Sequence, residues 1–334
     1  MSTVTDSADA LPLVERLGVD QAARAADFLR ARGAGVMDLI AHFWDRLAQT
    51  PPLLRDDLHM LIASGRPTRE SASTRPADPT AGLDIKRTLG AMLYVPKAHR
   101  ADIFLLHPSA AAAFTTYLTL WAQHRARGEP QETDAASAGN PDAVESKNTT
   151  PPIDYVTGEA AGVEMILPGL LELAHRKSAA KKSVNVMMRL PAEHTAVRCE
   201  KVRAARDGDE PVLNKWRKLY RQERRILFEA DVDAWIESGH VFVYERDGQI
   251  AAVAKFDLVL PSLVEIGGVF TFPEFRRRGV GGQLVCDLVC RIRETGKTPS
   301  LQVDVDNEPA LALYRQAGWM EIGRLARVWL ATAP

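Results

Sequence analysis

The sequence predicts an α/β (α+β) protein of two domains, each a mixed sheet with helices on its faces. Three observations predict it. Strand-like runs with alternating apolar residues interleave with longer runs of helical period. Two polar stretches rich in Pro, Ser and Ala interrupt the chain and carry almost no large apolar groups. The order of elements in the N-terminal half then recurs in the C-terminal half. At 334 residues, 46% hydrophobic and 25% charged, the chain has an ordinary globular composition and length for about two domains.

In the N-terminal half, "QAARAADFLRARG" and "GVMDLIAHFWDRLAQ" read as helices, and "LHMLIAS", "TLGAMLYV" and "ADIFLLH" as strands. "PSAAAAFTTYLTLWAQHRA" reads as a helix, "IDYVTG" as a strand, "EAAGVEMILPGLLELAHRK" as a helix and "SVNVMMRL" as a strand. The polar stretches near 64–85 and 127–152 are predicted to be disordered loops, because they cannot bury enough surface to offset ordering entropy. The domain boundary falls at "PAEHT", giving domains 1–190 and 196–334.

In the C-terminal half, "AVRCEKV" reads as a strand, "PVLNKWRKLYRQERRI" and "EADVDAWIES" as helices, and "HVFVYERDGQIAAVAKF" as a hairpin turned at Asp247-Gly248. "SLVEIGGVFTF" continues the sheet. From Val280 a helix carries a core stripe of Val280, Leu284, Leu288 and Ile292. Cys286 and Cys290 sit beside that stripe as small hydrophobes. Strand "SLQVDV", helix "EPALALYRQAG" and closing strand "EIGRLARVWLA" complete the half, and the N-terminal half repeats this order lacking only its first strand.

A net charge of -1 provides no field for a polyanion, so nucleic acid is not an expected partner. The N-terminus lacks the pattern of a signal peptide and no apolar run approaches the ~18 residues of a span, so neither is a membrane. The three cysteines form no disulfide framework and no Cys/His cluster has metal spacing. The expectation is a cytoplasmic protein without a metal.

"FRRRGVGGQL" stands at a strand-to-helix corner. The first turn of a helix leaves its N–H groups unpartnered and carries the positive end of the dipole, which suits a phosphate. Gly279, Gly281 and Gly282 let an anion reach that backbone, and Arg276, Arg277 and Arg278 surround it with charge. A glycine-rich turn with solvated arginines is the plainer alternative. The pattern is neither a dinucleotide fingerprint nor a phosphate loop ending in Lys-Ser/Thr.

"VFTFPEFRRRGVGGQLV" followed by "LQVDVDNEPALALYRQAGW" resembles the acyl-CoA-binding core of the GNAT superfamily of N-acetyltransferases. Arg276, Gly279 and Gly281 match its pyrophosphate motif R/Q-x-x-G-x-G/A. Asn307, Ala310, Leu313, Tyr314, Gly318 and Trp319 match N-x-x-A-x-x-L-Y-x-x-x-G-F/W. The resemblance extends over 196–331 and implies a splayed, mostly antiparallel sheet. It implies acetyl-CoA as cosubstrate and an amine acceptor. The backbone of Val269, Phe270 and Thr271 then pairs with the pantetheine arm, and N–H groups from Arg277, Arg278, Gly279, Val280, Gly281 and Gly282 hold the pyrophosphate.

Direct attack on the thioester needs a base, because an ammonium of pKa ~10 is not nucleophilic, and an acid near the leaving thiolate. Tyr314 stands at the family's acid position; the alternative is a core-edge tyrosine. Asn307 bonds the cofactor or a base-bound water, or simply caps its helix. Glu265, read as alternating onto one face with Gly267 and Val269, is the candidate base; an exposed strand glutamate is the alternative, with His240 as a further candidate. A non-catalytic acyl-CoA sensor or protein-interaction module is the second function class.

"VTGEAAGVEMILPG" slides onto "VDNEPALALYRQAG" without a gap, pairing Gly158 with Asn307, Met165 with Tyr314 and Gly169 with Gly318. This implies a tandem pair whose N-terminal copy is degenerate. Where the arginine-glycine corner is called for, that copy has "PSAAAAF", and Met165 has no proton to donate.

Overall fold

A computed structural model describes residues 11–17, 59–64, 88–95, 99–126, 153–224 and 231–330. The first two predicted helices and the predicted loops near 64–85 and 127–152, Ser64 apart, lie outside the described residues. The chain divides into two compact units, Met1–Val184 with Arg324–Pro334, and Asn185–Gly323.

The first unit contains β1 (Leu13–Leu17), β2 (His59–Ser64), β3 (Thr88–Val95), β4 (Arg100–Leu105), α1 (Pro108–Ala126), β5 (Tyr155–Glu159) and α2 (Ala160–Leu173). Strands β1 to β4 pair antiparallel in sequence, and β4 pairs in parallel with β5 through Arg100–Tyr155 to Ile103–Gly158. Ile103, Phe114, Leu118, Val156 and Ile166 lie in its core. The expectation that this half lacks a first strand is overturned by β1. Its sequence, LVERL, has two adjacent charged residues and no apolar alternation, so only its pairing with β2 marks it as a strand.

The second unit contains β7 (Val202–Ala204), α3 (Glu210–Arg224), α4 (Val232–Glu237), β8 (Val241–Arg246), β9 (Gln249–Val259), β10 (Leu263–Thr271), α5 (Val280–Glu294), β11 (Thr298–Asp304) and α6 (Glu308–Gln316). Strands β7 to β10 are antiparallel neighbours, and β10 runs parallel to β11. The β8–β9 hairpin turns on Asp247 (φ 51°) and Gly248 (φ 72°), both left-handed, the backbone that matches strand twist in a two-residue loop. In α5 the stripe Val280, Leu284, Leu288 and Ile292 is buried, each residue contributing about 2 kcal/mol of transfer free energy.

Two strands cross the division: β6 (Lys181–Arg189) and β12 (Met320–Trp329). Residues 185–189 pair antiparallel with 300–304 of β11, and residues 325–329 pair antiparallel with 155–159 of β5. Each unit is therefore completed by the last strand of the other half of the sequence. This corrects the expectation that "EIGRLARVWLA" closes the C-terminal half.

The predicted strand "AVRCEKV" also differs, since β7 begins only at Val202. Upstream, the N–H groups of Val197 and Cys199 donate to Cys286 Sγ (3.2 Å) and Asp287 Oδ1 (2.8 Å), so side chains of α5 take the place of a strand ladder.

Candidate active site

Strands β10 and β11 pair over only four residues, from Leu263–Thr298 to Ile266–Leu301. Beyond Ile266, among the described residues, β10 has no partner on that side. Parallel strands that part leave N–H and C=O groups along an unused edge. Val269, Phe270 and Thr271 lie on it.

The strand is also irregular. Gly267 stands opposite Lys255 and Phe270 opposite Val253, so three residues of β10 span two of β9. A slip of one residue exchanges the faces. Phe270, not Val269, is thus in phase with Gly267, which corrects the expectation that Glu265, Gly267 and Val269 share a face. The result is visible on both sides: the Phe270 ring lies 6.2 Å from that of Tyr220 on α3, whereas Thr271 faces Gly281 on α5. The slip contains Gly268 at φ 60°, where a Cβ would meet the Trp216 ring at 2.8 Å.

The corner follows β10 directly. Pro273–Phe275 form a single 3-10 turn, Arg277 (φ 60°) and Gly279 (φ 73°) adopt left-handed backbone, and α5 starts at Val280. The first N–H of α5 to find a helical acceptor is that of Gln283, on Gly279 O at 3.0 Å. Among the described residues, the six preceding N–H groups, of residues 277–282, have no backbone acceptor. A Cβ at Gly282 would meet nothing within 4 Å, whereas one at Gly281 would stand 2.9 Å from Thr271 Oγ1. The side chain of Arg276 turns away from this cradle: Nε donates to Thr271 O (2.9 Å), Nη2 to Glu223 Oε1 (2.7 Å), and the guanidinium lies 5.2 Å from the Phe270 ring centroid. Arg277 and Arg278 are exposed and have no ion-pair partner among the described residues.

Tyr314 is buried on α6, which pushes its phenol well above the ordinary tyrosine range, with nearby Tyr220 as the second cause. Asn307 occupies the N-cap of α6 without a side-chain capping bond. Glu265 is half-buried and accepts from Gln302 Nε2 at 2.7 Å. His240 is exposed, its ring 5.9 Å from that of Phe256.

Between α5 and α6 lies a cavity of about 120 Å³ whose rim includes Gly282, Cys286, Leu313, Tyr314, Trp319 and His194. Gly318 (φ 83°) permits the close approach of His194, because a Cβ there would stand 2.5 Å from the imidazole.

The Acetyltransferase (GNAT) family model matches residues 210–319. Residues 210–319 are a GNAT domain. No curated protein sequence matches the chain. A GCN5-related N-acetyltransferase from Sphaerobacter thermophilus is 14% identical, covering 97% of this chain and 98% of its own at a TM-score of 0.53. A Drosophila protein is likewise 14% identical, covering 96% and 99%, also at 0.53. At this identity the likeness is one of fold, mixed α/β with a sheet flanked by helices.

The GNAT domain holds site features that residue spacing alone missed. On the α3 side, Asp257 Oδ2 lies 1.5 Å from where a Cβ on Gly267 would be, so glycine at 267 makes room for a carboxylate. Lys255 pairs with that carboxylate, and its ammonium lies 5.3 Å from the Trp235 ring centroid. Tyr220 is pushed up to about 12, first by burial and then by Asp257. The Gly-Gly pair was the visible signal; the neighbour requiring it is on another strand. His194 and Leu190, which precede the segment matched to the family, had no signal of their own.

Proposed function

We propose that the GNAT domain transfers the acyl group of acetyl-CoA to the nitrogen of an amine acceptor by direct attack within a ternary complex. The observation that carries this reading is the continuity of the unused edge of β10 with six N–H groups at the start of α5 that have no backbone acceptor among the described residues. In this reading the backbone of Val269, Phe270 and Thr271 pairs with the pantetheine arm, and residues 277–282 hold the pyrophosphate with the charge of Arg277 and Arg278 nearby. Arg276 sets the shape of the corner, and the amide of Asn307, which makes no capping bond, faces the cofactor. Glu265, positioned by Gln302, takes the proton that makes the acceptor amine nucleophilic. The nitrogen then bonds to the thioester carbon and releases its second proton to solvent as the carbon–sulfur bond breaks. Tyr314, protonated throughout the neutral range, donates to the leaving thiolate.

The first unit serves as a packing or acceptor-shaping partner, a degenerate copy without a cofactor of its own. Three free cysteines suit a reducing cytoplasm. The test is a panel of small amines, amino acids and peptides incubated with acetyl-CoA, with release of free thiol as the readout. Acceptor-dependent thiol release supports the reading. Acetyl-CoA binding without turnover across the panel points instead to a sensor.

A further inference from the structure

Residues 190–199 run along α5 as a strap held at five points. Arg293 donates to the carbonyl oxygens of Pro191 (2.6 Å) and His194. Val197 N–H donates to Cys286, and Cys199 N–H to Asp287. The Asp287 carboxylate is fully buried, is also bonded by Arg291 Nε at 2.6 Å, and lies 3.4 Å from Arg198 Nε. A segment so fastened presents its side chains in a set position. His194 and Thr195 consequently form one wall of the cavity between α5 and α6.

The cavity is lined both by Gly282, from the anion cradle, and by Tyr314, the proposed donor to sulfur. Its wall is apolar, from Leu190, Val285, Val289, Leu313 and Trp319, with His194, Thr195, Cys286 and Tyr314 as the polar groups. That lining suits an arm of methyl and methylene groups interrupted by amides. At about 30 Å³ per water its volume corresponds to about four waters, enough for a short segment of such an arm.

We infer that residues 190–196, outside the matched GNAT segment, form the outer wall of the acyl-CoA site, with His194 and Thr195 touching the pantetheine arm. The inference rests on the acyl-CoA reading above. It assigns to the strap a binding role that the family motifs do not cover.

The test uses the thiols as reporters in the intact chain. Cys286 lines the cavity, whereas Cys290 lines a separate shallow depression with Arg198 and Glu294 and serves as an internal control. N-ethylmaleimide labelling of each cysteine is followed by mass spectrometry, with and without acetyl-CoA, whose sulfur is blocked. At ten times the dissociation constant, Cys286 labelling should slow about tenfold while Cys290 labelling stays within about twofold. His194→Ala should weaken acetyl-CoA binding by about two- to tenfold in calorimetry, the loss of one contact. Unprotected Cys286 on a protein that binds acetyl-CoA overturns the inference, as does tighter binding by His194→Ala, which would make the strap a competitor. Absence of any acetyl-CoA binding by the wild type overturns the underlying reading instead.

Discussion

Arg276 donates from Nε to the carbonyl oxygen of Thr271, five residues back, at 2.9 Å. The motif arginine thereby ties the corner to the end of β10, and its Nη2 ties the same corner to Glu223 on α3. Its planar fork makes both bonds at once, which a lysine cannot reproduce.

Arg276→Lys and Glu223→Gln should therefore each weaken acetyl-CoA binding by about two- to fivefold, and the double variant should add little. Calorimetry on the four proteins of the cycle measures this. If Arg276 instead served the phosphates directly, Glu223→Gln would release it and tighten binding.

Gly282→Glu places a carboxylate in the cradle where the backbone has open space. Acetyl-CoA affinity should fall about a hundredfold or more. The unfolding temperature should hold or rise, because glutamate is a better helix former than glycine and favours a helix N-terminus. Gly281→Glu is the poorer probe, since its Cβ presses on Thr271. Wild-type affinity in a folded Gly282→Glu protein contradicts the pyrophosphate assignment.

Tyr314→Phe keeps the buried ring and removes the proton. Turnover should drop by about 10²-fold with acetyl-CoA affinity nearly unchanged. Near-normal turnover, with chemistry rate-limiting, would show that water or another group protonates the thiolate.

The phenol of Tyr220 is raised from 10 to about 12, by burial and by Asp257. Between these values the folded state holds the proton more tightly than the unfolded chain, so the stability it contributes is complete below pH 10 and is lost as pH rises through 12. Tyr314 shifts in the same direction. In urea titrations from pH 9 to 12, Tyr220→Phe should lose less stability with rising pH than wild type. Parallel profiles would contradict the shift.

One acetyl-CoA should bind per chain. In the first unit the place of the gap is closed: a Cβ at Gly158 would stand 2.1 Å from Ile103 O, one at Gly162 3.1 Å from Leu105 N, and one at Gly169 2.7 Å from Thr115 on α1. Calorimetric titration of the intact chain measures the stoichiometry, and a value of two contradicts the closure. The intact chain is the proper reagent, because a cut near 190 would strip 325–329 from the first unit and 185–189 from the second.

The backbone geometry of the corner and of α6 was legible in the sequence because it depends on local spacing. The glycines, the arginines and the Asn307–Tyr314 interval fall within single elements, where backbone geometry links residue number to position. The Asp247-Gly248 turn and the α5 stripe were legible for the same reason. Tertiary structure decided what depends on a partner strand. The slip that turns Phe270 toward Tyr220 exists only in the register between β10 and β9, so no reading of β10 alone places Val269 correctly. The exchange of β6 and β12 between units pairs residues more than a hundred positions apart, and apolar alternation does not specify which edge a strand will join. The same holds for Arg276 and for the strap: a guanidinium beside glycines reads as an anion ligand until the carbonyl and carboxylate that occupy it are brought together by folding.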